Sequence, residues 1–446
     1  MHDRHDRCSR RKFLAQAAGL TFAGGLTPTA GAPGQAADPS SFRARPPRPA
    51  TAGRRPIAAV CTVYRAMSHA YHIGGRFIHG YTRDGRFHVP RHFLRAVHVD
   101  QVHRDTDLSR ALGRDFDIRV TRSVADALTG DGGQLAVEGV LLIGEHGNYP
   151  RNDKGQILYP RYEMMEQIVA VFRKTGKVCP VFNDKHLSHD WAKAKQMVAW
   201  SRELNFPLMA GSSLPVTWRR PELELPLGTP VEDALVAAYG PIEVYGIHAL
   251  EALQVMAERR HGGETGVQAV TCLTGKDVWR AGDAGRWSWH LLEAALGRSE
   301  TVNPGDVRRN VGLPVRGYPS IPATAFLVEY RDGLRGTVLL LNGHILDFCF
   351  AARLKAQAKP ASCLFCLPQP PGAKFFDCQV ANIEKLLEKG QAPYPVERTL
   401  LTSGILDAVM ESHARRGARV ETPHLAVSYT APEDSGFCRG SIAAPV

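Results

Sequence analysis

The chain has 446 residues, 44% hydrophobic and 22% charged, with a formal net charge of +11. That length exceeds one ordinary core, so two domains of a soluble globular protein are expected. Lysine and arginine are scattered among acids, and five of the basic side chains fall in the first 36 residues with two aspartates, so the charge excludes a nucleic-acid footprint.

Residues 1–36 open with Ser9-Arg10-Arg11-Lys12-Phe13-Leu14, a twin arginine followed by an apolar stretch over 14–26 and small residues at Gly34-Gln35-Ala36. This order reads as a Tat export signal, which carries proteins out in folded form to a periplasmic or extracellular destination. The apolar stretch of 13 residues falls short of the ~20 that span a bilayer, so no stable membrane anchor is expected. Residues 37–55 are rich in Pro, Arg, Ala and Ser and read as a tether.

The folded part then alternates strand and helix patterns. Continuous apolar runs at 57–63, 94–99, 137–143, 178–182 and 207–210, with a weaker one at 118–120, have the character of parallel strands buried on both faces. Helical patterns begin at Ser68 and occupy 123–128, 161–174 and 191–204. The alternation predicts an α/β, Rossmann-like, doubly wound parallel sheet over 56–212. Ligands sit beyond the carboxyl ends of such strands, so 62–68, 144–149 and 183–189 converge on one crevice.

From 213 to 430 the pattern changes to that of an α+β domain with an open antiparallel sheet. A helix over 248–258 precedes strands at 267–273, 324–330, 336–342, 346–351 and 362–367, and helices at 380–389 and 400–415 close the domain; 431–446 reads as a tail. An apolar face on such a sheet calls for burial, which predicts a homo-oligomer. Eight cysteines follow the export signal and read as buried thiols. Strand alternation would turn Cys363 and Cys366 to opposite faces, against a redox or zinc pair.

Three stretches carry a resemblance to the Gfo/Idh/MocA oxidoreductase family over roughly 57–430. The strand leading to Asn183-Asp184-Lys185-His186 resembles the family strand that ends in Glu-Lys-Pro, with Lys185 in the lysine's place. Gly246-Ile247-His248-Ala249-Leu250-Glu251 resembles the segment Gly-x-His-x-x-Asp that supplies the active-site histidine. Residues 395–429, with Thr402-Ser403-Gly404 and Glu421-Thr422-Pro423, resemble the closing helix and strand. The resemblance implies an enzyme that binds NAD or NADP and acts on a carbohydrate or polyol, with Lys185 and His248 catalytic. Those two residue types suit the work: an ammonium stabilises a developing alkoxide, and imidazole exchanges protons near neutrality.

The chain departs from the family at four places. The first turn reads Cys61-Thr62-Val63-Tyr64-Arg65-Ala66 where the family has Gly-x-Gly-x-x-Gly. Asp100 lies about 40 residues after the first strand, where a ribose-binding acid is expected after about 20, because 74–92 forms an insertion. Val244 stands where the family carries an aspartate, with Glu243 and Tyr245 as neighbours, and Asn183-Asp184-Lys185-His186 replaces Glu-Lys-Pro. On this reading Thr62, Tyr64, Arg65, Ser68, Asp100, Glu145 and His146 line the cofactor. Tyr149, Asp184, His186, Trp218, Arg219 and Tyr245 line the substrate. His69, His72, His79 and His88 cluster near the first turn without a spacing that defines a site. The alternative is a divalent metal held by Glu145, His146, Asp184, His186 and His189, serving a lyase, isomerase or hydrolase, and a non-catalytic sugar-binding role is the third possibility.

Overall fold

The computed structural model describes residues 50–314 and 320–442. The twin-arginine segment, residues 37–49 of the expected tether and the last four residues lie outside the described residues.

The first strand, β1 (Arg55–Cys61), has no solvent-exposed side chain from Ile57 onward, as a strand covered on both faces requires. Residues 62–68 lead into α1 (His69–His79). The Ser68 hydroxyl caps this helix by accepting the Tyr71 N–H at 3.2 Å. The expected insertion contains a small hairpin, β2 (Tyr81–Arg83) and β3 (Arg86–His88), before the chain re-enters the sheet. There follow β4 (His92–Val99), α2 (Ser109–Phe116), β5 (Arg119–Thr121), α3 (Val124–Leu128), β6 (Val140–Ile143), α4 (Arg161–Thr175), β7 (Val181–Asp184), α5 (Trp191–Leu204) and β8 (Leu208–Gly211). The six strands pair in parallel in the order β5-β4-β1-β6-β7-β8. The winding therefore reverses between β1 and β6, the switch point at which doubly wound sheets bind ligands.

Beyond the crossover the elements are β9 (Arg219–Arg220), β10 (Val231–Ala238), α6 (Ile242–Ala257), β11 (Val267–Thr274), α7 (Lys276–Asp283), α8 (Trp289–Leu296) and α9 (Val307–Asn310). The chain continues with β12 (Thr324–Tyr330), β13 (Arg335–Leu340), β14 (Phe348–Leu354), β15 (Ala361–Phe365), α10 (Phe375–Lys389), α11 (Val396–Ala414) and β16 (Val420–Glu421). Eight strands form one sheet in the order β16-β11-β12-β13-β10-β14-β15-β9, antiparallel except where β10 runs parallel to β13. The central strand β10 is not apparent in the sequence, because its alanines carry little strand preference; pairing on both edges overrides that preference.

Two departures from the expected layout matter. Helix α10 sits in the 213–430 range yet packs on the first sheet, where Phe376, Val380, Ile383 and Leu386 join Ile57, Phe77 and Leu141 in one core. The second sheet is also covered on both faces. Helices α6 and α11 bury one, while α7, α8 and the turn between them lay Val278, Leu291, Leu292 and Trp287 over Leu235, Leu327 and Leu339 on the other.

Candidate active site

All the polar elements of the site end at one edge of the first sheet. Glu145 and His146 follow β6, Asp184 closes β7 with Lys185 next, Ser212 follows β8, and His69 opens α1 just beyond β1. Parallel strands present their carboxyl ends together, so residues remote in sequence meet here.

Glu145 stands at the centre. Its Oε1 accepts a hydrogen bond from Lys185 Nζ at 2.8 Å and its Oε2 from Arg161 at 2.7 Å, and all three side chains are buried. Burial alone would push the Glu145 carboxyl up; the charges of Lys185 and Arg161 outweigh it and hold the group well below the usual carboxylate range. Arg161 also donates to His186 Nε2 at 3.0 Å. Burial, then the arginine charge, pushes His186 far down, so the ring is neutral. His146 and Lys185 both adopt left-handed backbone, with φ of 68° and 62°. Such conformations cost about 1 to 3 kcal/mol in a residue with a side chain and concentrate where a fold aims functional groups.

Beside this network the fully buried Asp184 accepts from His69 Nδ1 at 2.6 Å, and its other oxygen lies 3.4 Å from Gln379 Nε2 of α10. The His69 ring stands 5.3 Å from that of His146, which burial and the His69 charge depress to about 3. His248 on α6 approaches from the second domain. Burial lowers it most and Lys185 next, which places the imidazole in the field of that ammonium. Its Nδ1 is 2.9 Å from Ser212 Oγ, and the rings of Tyr245 and Phe348 flank it at 6.0 and 6.2 Å.

Lys185, His248, Glu145, His146, Asp184 and His186 are thus gathered as the sequence leads one to expect. Asp100 follows β4, the strand next to β1, and accepts from the Tyr149 hydroxyl at 2.6 Å. The inserted hairpin lengthens the sequence without moving this acid from its topological place. Thr62 donates to the Glu145 carbonyl at 2.7 Å and ties the β1 and β6 ends together.

Other expected residues lie elsewhere. The Tyr64 ring is buried against Gly74 and lines a cavity of about 430 Å3 between α1 and α2. Ser68 is engaged as a helix cap. Arg219 is buried, donating to the carbonyls of Leu223 and Pro215 at 2.9 and 3.1 Å with Phe437 beneath it, so it anchors the tail, and the half-buried Trp218 packs against the cores of both sheets. His189 lies beyond the Arg161 contact, with its carbonyl bonded to Gln156. The metal alternative finds no support: among the described residues no three His, Cys, Asp or Glu side chains are grouped to hold an ion, and Glu145 is already neutralised by two cations. Cys363 and Cys366 point into separate cores on opposite faces of the second sheet, as alternation requires.

Sequence reasoning missed Arg161, Ser212, Glu251 and Gln379, and left His69 unassigned. Glu251 follows His248 by three residues and so shares its helix face, a signal present in the sequence. Gln379 had none, since it arrives on α10 from the far end of the chain. Several polar atoms around the network have no hydrogen-bond partner among the described residues: His146 Nδ1, Asn183 Oδ1, His186 Nδ1, Glu243 Oε2 and Gln379 Oε1. Buried polar atoms are normally satisfied, so the network at this edge is incompletely paired within the protein.

No family model matches the chain, and no curated protein matches it. Solved structures do. The chain is similar to GenD2 from gentamicin A biosynthesis in complex with NAD (16% identity, TM-score 0.52, covering 84% of this chain and 98% of that one). It is also similar to myo-inositol dehydrogenase from Lactobacillus casei in complex with NAD(H) and myo-inositol (11% identity, TM-score 0.52, 82% and 96%). A probable dehydrogenase from Thermotoga maritima matches at 10% identity and TM-score 0.50, over 83% and 99%. At this level the likeness is one of fold, and the two-domain architecture expected from the Gfo/Idh/MocA resemblance is the one present.

Proposed function

We propose that this chain is an exported member of the Gfo/Idh/MocA oxidoreductases that acts on a carbohydrate or polyol with a retained nicotinamide dinucleotide, Lys185 and His248 managing the proton. The observation that supports it is that Lys185, just after β7, donates its backbone N–H to the Gly211 carbonyl at 3.2 Å, and the hydroxyl of the next residue, Ser212, lies 2.9 Å from His248 Nδ1 of the second domain. The twin-arginine segment supports export, and two solved structures of the same fold hold NAD or NAD(H), one of them with myo-inositol.

The donor set fits a dinucleotide bound by side chains instead of a glycine cradle. The exposed Asp100 at the end of β4 is an acceptor for ribose hydroxyls. The Arg65 guanidinium makes no hydrogen bond or ion pair among the described residues and acts electrostatically on His146, at the switch point where a phosphate would need a cation. Bound there, the nicotinamide would supply the hydride acceptor or donor. The protein's own part is the proton. With Glu145 holding it, Lys185 presents a fixed positive charge to an oxygen becoming anionic, and His248, neutral through burial, is ready to take a proton from that oxygen.

The His69–Asp184 pair favours a second reading on the same substrate class, glycoside cleavage in which the hydride returns and no net redox occurs. A second acid–base couple is what such a route needs. Nucleotide released from natively purified protein and identified by mass spectrometry tests both, and product analysis separates them. Protein that carries no nicotinamide and shows no melting shift with NAD(H) or NADP(H) would refute the cofactor reading. Lys185→Met is expected to lower kcat by about 100-fold or more while leaving the nucleotide bound.

A further inference from the structure

Where the family that the sequence resembles carries an aspartate four residues before the histidine, this chain has Val244, and the adjacent Glu243 turns its Oε1 to the Ile157 N–H at 3.2 Å. A different buried acid is connected to His248. Glu251 is 1% exposed, and its two oxygens accept the Ser212 N–H at 3.0 and 3.2 Å. The Ser212 hydroxyl is in contact with Glu251 Oε2 and stands 2.9 Å from His248 Nδ1. Gly211 permits this closeness, because a Cβ there would meet Glu251 Oε1 at 2.8 Å and the Tyr394 hydroxyl at 3.3 Å.

We propose that Glu251 is the proton store of the site and sets the tautomer of His248 through the Ser212 hydroxyl, a positioning role that rests on the oxidoreductase reading of His248. With Glu251 ionised, Ser212 donates to the carboxylate and accepts from His248 Nδ1–H, leaving Nε2 bare as a base. When Nε2 takes the proton of a substrate hydroxyl, the Nδ1 proton passes to Ser212 Oγ and the Ser212 proton passes to Glu251 Oε2. The substrate oxygen is then an alkoxide facing Lys185, the imidazole is again neutral, and Glu251 is a carboxylic acid. No charge is stored on His248, which suits a ring that burial and then Lys185, with His69, push well below its ordinary range against the opposing pull of Glu145. Burial pushes Glu251 up to about 7, against the Ser212 hydrogen bonds and the Arg398 charge and assisted by Asp184. The store therefore loads and empties near neutral pH.

The test reads the tautomer directly. Full-length protein labelled with 15N-histidine is followed by ring-nitrogen NMR from pH 5.5 to 8.5, with His248 assigned by the signal lost in His248→Gln. The expected result is an Nε2–H tautomer at low pH exchanging to Nδ1–H with a midpoint near 7, and no exchange in Glu251→Gln. Ser212→Ala is the second variant, and it should abolish the exchange without removing the acid. One tautomer across the whole range in the wild type, or unchanged exchange in both variants, overturns the proposal. In turnover, Glu251→Gln should lower kcat with KM retained, and Glu251→Asp should recover part of it; a loss confined to KM would count against the relay. If the tautomer exchanges but no nicotinamide-dependent turnover exists, the functional reading fails and the relay stands.

Discussion

Glu145 illustrates how one side chain organises a site. A carboxylate with both oxygens taken by buried cations cannot leave, so Lys185 and Arg161 are held with it, and burial, reinforced by the Arg161 charge, keeps His186 neutral. The same logic, reversed, applies to Glu251, a buried acid with no cation in direct contact. Its folded-state value of about 7 lies above the ordinary 4.5. The folded protein therefore holds this proton after the unfolded chain has released it, and the associated stability, present below pH 4.5, is lost as pH rises toward 7. The shift corresponds to about 3 kcal/mol. Urea unfolding of wild type and Glu251→Gln across that window should show the difference between them changing by about this amount in favour of the variant as pH rises; parallel curves would exclude it.

Among the elements, the helix pair α7 and α8 has the largest consequence for how the protein meets its surroundings. The sequence of the second sheet suggests a bare apolar face, and hence an oligomer, but the face is occupied from within the chain. Trp287 is 1% exposed, donates Nε1–H to the Val278 carbonyl at 2.9 Å and packs on Gly282, where any Cβ would collide with the indole. Trp287→Ala should destabilise the protein by about 3 to 5 kcal/mol, read by chemical denaturation, because a cavity of that size does not close. This sheet face is closed to self-association, so a stable dimer found by light scattering of the purified chain would associate through a different surface, and Trp287→Ala should not raise the mass of a folded monomer.

At the scale of the molecule, α11 locks the two sheets together. Arg398, near its start, donates to both oxygens of Glu258 at 2.8 and 2.5 Å, lies over the Tyr394 ring at 4.3 Å and is buried, while Thr399 donates to the Ala210 carbonyl of β8 at 2.7 Å. Arg398→Ala would strand the Glu258 charge and is expected to cost about 3 to 5 kcal/mol, with both domains loosening in one transition in calorimetry; a separate early transition of one domain would show that they are not coupled here. The closing helix was legible as a helix, but its role as a clamp was not, because nothing local distinguishes a buried Arg398 from a surface arginine.

The same division holds for the whole protein. Apolar runs and their spacing by themselves determined the parallel sheet, the crevice at its carboxyl edge and the convergence of Lys185, His146 and Asp184, since strand direction and alternation are local properties. The inserted hairpin did not hide Asp100, which kept its place at the end of a strand. Only tertiary structure decided that α10 returns to the first sheet and brings Gln379 to Asp184, that Arg161 and Ser212 join the site, and that Arg219 serves the tail instead of the substrate. Those assignments depend on which distant segment fills the space beside a side chain, and pattern within a short window carries no information about that.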